Sequence, residues 1–485
     1  VLFVRYNSIY VFVFCIIAKV LCDEFNLSGD AGQAYALKIN IGHPPQTLSV
    51  LVDTGSTTLA IASYPRKESN IYFHSDNSTS VYHKGKEVQA KYSQGTWVGQ
   101  LVSDFVQFPS LSNVPEVRTD IALITKSHKF FMNGSGWQGL LGLAYLPVGA
   151  WGENVIVGSW LDSLEKYLEK PVSFELKLCG TLSQTNSTHY GVFKMLAMPD
   201  IITEDQSKTH TIFKTPILQK RWYEVGVLSV RLLNSSENNS SNSSDINKEN
   251  CVKLNEEKSI VDSGTTNIRL PDSVFRQVVD QLRHSAQASN NLILDEFWYH
   301  GEAGCWPEPQ EWSLPSLAID LLSTEADNSY FTLEIPAQNF MRVVSAHNNS
   351  RGSGSVSEFC YKLGLEAGGK ETVLGYTAME GLQVLFNRSG GWIGWRPSDC
   401  GSKTKITGPF NISSSLSSLC QLTKPVPDVA ESIKAAQWIL CAISIIAVAV
   451  VVYLLAPGIK VLLIRPLPRS QQISLSQAAL VQQET

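Results

Sequence analysis

Two short blocks of this sequence repeat one another. Leu51-Val52-Asp53-Thr54-Gly55-Ser56-Thr57-Thr58 and Ile260-Val261-Asp262-Ser263-Gly264-Thr265-Thr266-Asn267 each carry two apolar residues, then Asp, a hydroxyl residue, Gly and further hydroxyls. An apolar-apolar-Gly element follows each block: Leu140-Leu141-Gly142 in the first half, Val373-Leu374-Gly375 in the second. A lone Asp-Thr-Gly is an ordinary turn. Two extended copies imply related halves, each offering one carboxylate on a loop. Two carboxylates held close cannot both ionise, so one pKa rises, the other falls, and the pair titrates as a unit. Sharing one proton, they supply a base to activate water and an acid for a carbonyl oxygen and a leaving nitrogen. That is the requirement for hydrolysing an amide without a metal or a covalent intermediate. Gly55 and Gly264 let backbone approach the carboxylates. The hydroxyls of Thr54, Ser56, Ser263 and Thr265 can orient them.

The elements that must carry these loops read as strands and turns. Tyr35, Leu37, Ile39 and Ile41 alternate with small or polar residues, Gly42-His43-Pro44-Pro45 turns the chain, and Leu48, Val50 and Val52 resume the alternation. Similar runs recur at Lys91–Phe108, Phe174–Leu178, Trp222–Leu232 and Phe331–Ile335, whereas helical patterns are few, the best being Trp160–Leu168 and Ser273–Ser285. The expected class is mainly β. At 485 residues the chain exceeds what one compact core usually needs, so two lobes are expected. The Asn- and Ser-rich stretch from Asn234 to Asn250 cannot bury enough apolar surface to pack and reads as a surface loop.

Composition and termini set the compartment. A net charge of −5 without a Lys/Arg block argues against nucleic acid as a partner. Arg5 and the apolar run Ile9–Ala18 read as a signal peptide over residues 1–22. Residues 435–457 are nearly all apolar and long enough to cross a bilayer core of about 30 Å. Lys460, Arg465 and Arg469 follow that run and Lys434 alone precedes it, which puts residues 458–485 in the cytoplasm and the body outside or luminal. The Pro-containing segment 421–434 reads as a stem. Of nine cysteines, Cys15 and Cys22 fall in the leader and Cys441 in the span; the other six imply disulfides in an oxidising compartment. Asn77, Asn133, Asn186, Asn234, Asn242, Asn348 and Asn411 are glycosylation acceptors. No H-E-x-x-H zinc pattern, G-x-S-x-G elbow or phosphate loop is present, so no metal or cofactor is expected.

These motifs, with Pro44-Pro45-Gln46-Thr47-Leu48, Lys129-Phe130-Phe131-Met132-Asn133-Gly134-Ser135, Gly139-Leu140-Leu141-Gly142-Leu143-Ala144-Tyr145, Cys305-Trp306 and the run Ser259–Pro271, resemble the pepsin-type aspartic proteases, and among them the β-secretases (memapsins). The resemblance spans about Gly32 to Cys420. It implies a two-lobed, mainly β endopeptidase, lobes 30–205 and 206–420, with Asp53 and Asp262 as its catalytic pair. It implies substrate contacts from Gly55, Gly264 and Thr266, and a flap carrying Tyr92, Ser93 and Gln94, with Trp97 hydrogen-bonded to the tyrosine. Arg269 would line a pocket for a polar or acidic side chain. Disulfides Cys179–Cys400, Cys251–Cys420 and Cys305–Cys360 are carried over by position. With the anchor, the resemblance points to polypeptide substrates, the ectodomains of other membrane proteins, met by a single-pass type I protein of the secretory pathway. A broad degradative protease of an acidic compartment, and a non-catalytic binding protein on the same fold, are the alternatives.

Three departures stand out. Only about ten residues separate the expected leader from the first expected strand, shorter than the family's prosegment. Ser187–Pro199 lacks the glycine-rich strand pair usual before the lobe boundary. The tail has Ile473-Ser474-Leu475 but no acidic dileucine, so endosomal sorting is not implied.

Overall fold

The computed structural model describes residues 24–29, 35–67, 69–93, 95–109, 114–131, 136–145, 151–152, 155–181, 188–196, 211–233, 246–288, 293–348, 357–412, 414–422 and 429–463. The alternating segment becomes a hairpin, Ala36–Ile41 against Gln46–Asp53, in register from Ala36↔Leu51 to Ile41↔Gln46. Gly42 turns it at φ 76°, a region costly for side chains bearing Cβ. Leu37, Ile39 and Ile41 pack with Leu48, Val50 and Val52 in the main core.

The repeated sequence blocks fold alike. Gln46–Asp53 runs parallel to Gly139–Gly142, pairing Asp53 with Gly142. Ser259–Val261 runs parallel to Thr372–Leu374 in the same way. Each apolar-apolar-Gly element is therefore the neighbouring strand of an Asp strand. A Cβ on Gly142 would lie 2.3 Å from the Thr57 carbonyl carbon, and one on Gly375 would lie 2.3 Å from the Asn267 oxygen. Only glycine fits where the strand crosses beneath its loop.

A 15-stranded sheet runs through both halves. Within it, Ser173–Thr181 pairs with Leu382–Asn387, matching Phe174 to Phe386. Smaller sheets hold Val227–Leu233, Ser316–Leu322, Ser329–Ile335 and Lys405–Asn411, the second Asp strand, and the Gly304–Trp306 region. Arg388, 5% exposed, reaches from the second half to Asp162 (3.1 Å) and Glu165 (3.2 Å) on the helix Trp160–Leu168. Ser159 caps that helix by accepting from Asp162 N. Residues 1–425 form one compact unit and 426–485 another.

Several expectations change. The segment that lacks the family's glycine-rich strand pair still holds a strand, His189–Leu196, antiparallel to Ser173–Thr181 on one side and to an unanticipated strand, Glu24–Gly29, on the other. Its pairing with Ser173–Thr181 shifts register between Leu178 and Gly180, where Gly180 has φ 68°. The expected loop to Asn250 ends earlier: Asn247 caps a helix, Lys248–Leu254, whose buried Cys251 anchors it. The helix expected at Ser273–Ser285 runs Asp272–Ala288. Cys179–Cys400, Cys251–Cys420 and Cys305–Cys360 are the disulfides, the pairing that the resemblance implied.

The second unit contains a helix, Val429–Leu463, so its first residues overlap the expected stem. Gln437–Leu455 has a mean hydropathy of 2.8 with none of its residues buried, long and apolar enough to cross a membrane. The acceptors Asn77 and Asn411 are exposed. The leader, Gln94, the acceptors Asn133, Asn186, Asn234 and Asn242, and the tail beyond Leu463 lie outside the described residues.

Candidate active site

The strands deliver the two Asp loops to one place. Asp53 is 4% exposed, and Asp262 is half-buried. A Cβ on Gly55 would lie 2.6 Å from the Asp262 carboxyl carbon, and one on Gly264 2.3 Å from Asp53 Oδ1. Each glycine is thus required by the other loop's carboxylate. Gly55 N donates to Asp53 Oδ1 at 2.8 Å and Ser56 Oγ to Oδ2 at 2.5 Å. On the other loop Gly264 N donates to Asp262 Oδ1 at 2.8 Å and Thr265 Oγ1 to Oδ2 at 2.7 Å.

Thr54 and Ser263 do something else than orient the carboxylates. Thr54 Oγ1 donates to Val261 O and accepts from Ser263 N, both at 2.9 Å. Ser263 Oγ donates to Val52 O at 2.7 Å and accepts from Thr54 N at 3.2 Å. The residue after each Asp turns away from the carboxylate and crosses to the opposite loop. This reciprocal bridge, buried on both sides, fixes the distance between the halves at the site.

Burial first, and then the Asp262 charge, push the Asp53 carboxyl well above its ordinary value; the Ser56 hydroxyl and the Gly55 N–H pull the other way. Two carboxyls in this arrangement can share one proton, a state that both donates and accepts.

Tyr92 closes a hairpin between Tyr82–Lys91 and Thr96–Gln107, its N–H donating to Gly95 O at 2.8 Å. Its ring packs on Phe130 at 5.5 Å. Burial, then the Asp53 charge, raise the phenol, while hydrogen bonding by Trp97 and Ser56 opposes this. The Trp97 indole, itself buried, lies close enough to the Tyr92 hydroxyl to act on it by hydrogen bonding, as the resemblance implied. Ser93 is exposed.

Arg269 sits on Ile268–Leu270, paired in parallel register with Glu366. Its Nε lies 2.7 Å from Glu366 Oε1, an ion pair whose angle is not that of a hydrogen bond. Asn267 Nδ2 donates to the other Glu366 oxygen at 3.0 Å. The Thr266 carbonyl is held by Thr377 Oγ1 at 2.7 Å, leaving its side chain partly exposed. Trp222, which no motif marked, donates its indole N–H to Gly55 O at 3.1 Å. The Arg221 and Lys258 cations lie over its ring, at 4.5 and 5.1 Å. Only its place at the head of an alternating run could have drawn attention to it.

The arrangement has known counterparts. The eukaryotic aspartyl protease family matches residues 34–396. A beta-secretase of Strongylocentrotus purpuratus is 31% identical over 398 residues, 79% of this chain and 70% of that protein. Vacuolar protease A of Aspergillus fumigatus is 24% identical over 261 residues, 53% of this chain and 56% of that protein. Chymosin of Ovis aries is 30% identical over 115 residues, 23% of this chain and 29% of that protein. The family match runs across both Asp loops, and the chain belongs to the eukaryotic aspartyl proteases as an aspartic endopeptidase.

Proposed function

We propose that Asp53 and Asp262 are the catalytic pair of a membrane-anchored endopeptidase with specificity of the β-secretase kind. The observation that supports this reading is the Thr54–Ser263 bridge, which ties the two Asp loops to one another. Water bound between them loses a proton to the Asp262 carboxylate as its oxygen attacks the scissile carbonyl. Asp53, carrying the shared proton, gives it to the carbonyl oxygen. Collapse of the tetrahedral intermediate returns that proton to Asp53, and Asp262 passes its own to the departing nitrogen. Tyr92 and Ser93 belong to the flap that covers substrate and excludes water; Gly55, Gly264 and Thr266 meet its backbone. The lobes 30–205 and 206–420 each supply one Asp.

The helix Gln437–Leu455 acts as the anchor of a type I chain, with the enzyme outside or luminal. Anchoring confines encounters to the membrane surface, which supports ectodomains of other membrane proteins as the substrate class. Arg269 would favour an acidic or polar side chain near the cleaved bond. Its pairing with Glu366 favours a second reading, broad degradative specificity in an acidic compartment. Cleavage-site profiling of the full-length chain on a peptide library across pH separates them. Enrichment of acidic or polar residues near the cleaved bond supports the first reading; a broad apolar preference sinks it.

A further inference from the structure

One buried carboxylate outside the dyad connects both catalytic loops. The Tyr35 carbonyl accepts from Val52 N at 2.9 Å, one residue before Asp53. Tyr35 Oη donates to Glu380 Oε1 at 2.8 Å and accepts from Gly180 N at 3.0 Å. His189 Nδ1 meets the same Glu380 oxygen at 2.8 Å. On the other side, Glu380 N donates to Tyr376 O, and Tyr376 N donates to Thr265 O, both at 2.9 Å. Thr265 Oγ1 holds Asp262. Asp53 and Asp262 are thus tied by a short run of hydrogen bonds through Glu380, separate from the Thr54–Ser263 bridge.

The surroundings keep that carboxylate ionised and still. Glu380 is 6% exposed, and Tyr35, His189, Tyr376 and Arg342 are equally buried. Burial pushes the carboxyl up, but the His189 ring, the Arg342 charge and the Tyr35 hydroxyl outweigh it and hold it below its ordinary value. Arg342 Nη2 donates to Tyr376 Oη at 2.6 Å and its Nη1 to Asn267 Oδ1 at 3.4 Å, so its charge also braces the Asp262 loop. A cavity of about 410 Å³, lined by Glu380, His189, Arg342, Tyr361 and Lys403 among others, lies alongside the cluster. A buried, charged network is costly, the more so here because His189 Nε2 and Arg342 Nε are buried without a hydrogen-bond partner among the described residues. Nothing in the chemistry of the dyad consumes this one.

We infer that Glu380, with Tyr35 and His189, is a positioning residue that sets the separation of Asp53 and Asp262 and hence how strongly the two carboxyls share their proton. This rests on the catalytic reading of the dyad. Glu380→Gln removes the charge while keeping the shape. In the full-length protein, its kcat on a fluorogenic peptide should fall about tenfold with KM unchanged, and both inflections of the kcat–pH profile should move. Tyr35→Phe deletes a single hydroxyl and should show the same signature at about threefold. A merely structural role would lower Tm and leave the pH profile in place. Either variant, folded with native disulfides and keeping wild-type kcat and inflections, overturns the inference. A crystal structure of Glu380→Gln gives a readout without turnover. An unchanged carboxyl separation also overturns it, whereas an inactive wild type with a separation that does respond to Glu380 overturns only the proteolytic reading.

Discussion

Thr54→Val replaces a hydroxyl by a methyl of nearly the same volume at a residue with no exposed surface. No cavity opens, so the cost is the lost bridge. Two main-chain groups lose their partner: Val261 O, which accepts Thr54 Oγ1, and Ser263 N, which donates to it. Leaving a buried polar group unsatisfied costs about 1–3 kcal/mol, so the substitution should destabilise by about 2–6 kcal/mol. That is a large share of the roughly 5–15 kcal/mol that holds a domain together. Ser263→Ala orphans Val52 O and Thr54 N and should cost a similar amount. The double variant should cost less than the sum, because once one side is cut the loops can part and water can reach the remaining groups. Thermal denaturation of the full-length variants in detergent, followed by tryptophan fluorescence, reads the loss; kcat on a peptide reads the dyad spacing and should fall with it. Thr54→Val with wild-type Tm and kcat would refute the claim that the bridge holds the site.

Glu366→Gln should free the Arg269 guanidinium and raise kcat/KM for substrates acidic near the cleaved bond, relative to matched apolar ones, about fivefold; an unchanged ratio would return Arg269 to a structural role. The Glu224 carboxyl is pushed up to about 7 by burial, against the pull of Arg221 and Lys258. The folded state therefore binds that proton more tightly, and the stability it contributes is present below about pH 4.5 and lost as pH rises through 7. Glu224→Gln should flatten that limb of the Tm–pH curve by on the order of 1 kcal/mol, allowing for solvent screening; an identical curve would contradict the assignment. Arg388→Met removes one partner from a buried network with Asp162 and Glu165 and should cost about 3 kcal/mol in denaturant unfolding, and a loss below about 1 kcal/mol would argue that the link between halves is incidental.

The parts of the fold legible in the sequence are those where local pattern and function coincide. The Asp blocks and their Gly elements were readable because each loop repeats, and the hairpin Ala36–Asp53 because its alternation is strict. The helix Trp160–Leu168 was readable from its helical pattern, whereas its Ser159 cap shows only in the structure. What escaped is long-range. That Thr54 and Ser263 reach the opposite loop rather than their own carboxylates depends on how the halves meet, which no local spacing encodes. The strand Glu24–Gly29 forms because a partner, His189–Leu196, waits for it far along the chain. Glu366 neutralising Arg269 is set by the register of two strands nearly a hundred residues apart. Glu380 and His189 carry no motif at all; only packing brings them together.

The two-carboxylate mechanism is tested most directly by turnover of a fluorogenic peptide at its optimal pH with purified Asp53→Asn and Asp262→Asn. Each amide removes one half of a single acid–base unit while leaving the bridge of Thr54 and Ser263 intact. Each variant should fold, keep its three disulfides and lose roughly a thousandfold or more in kcat. Either variant retaining a tenth or more of wild-type turnover would contradict the shared-proton pair as the source of catalysis.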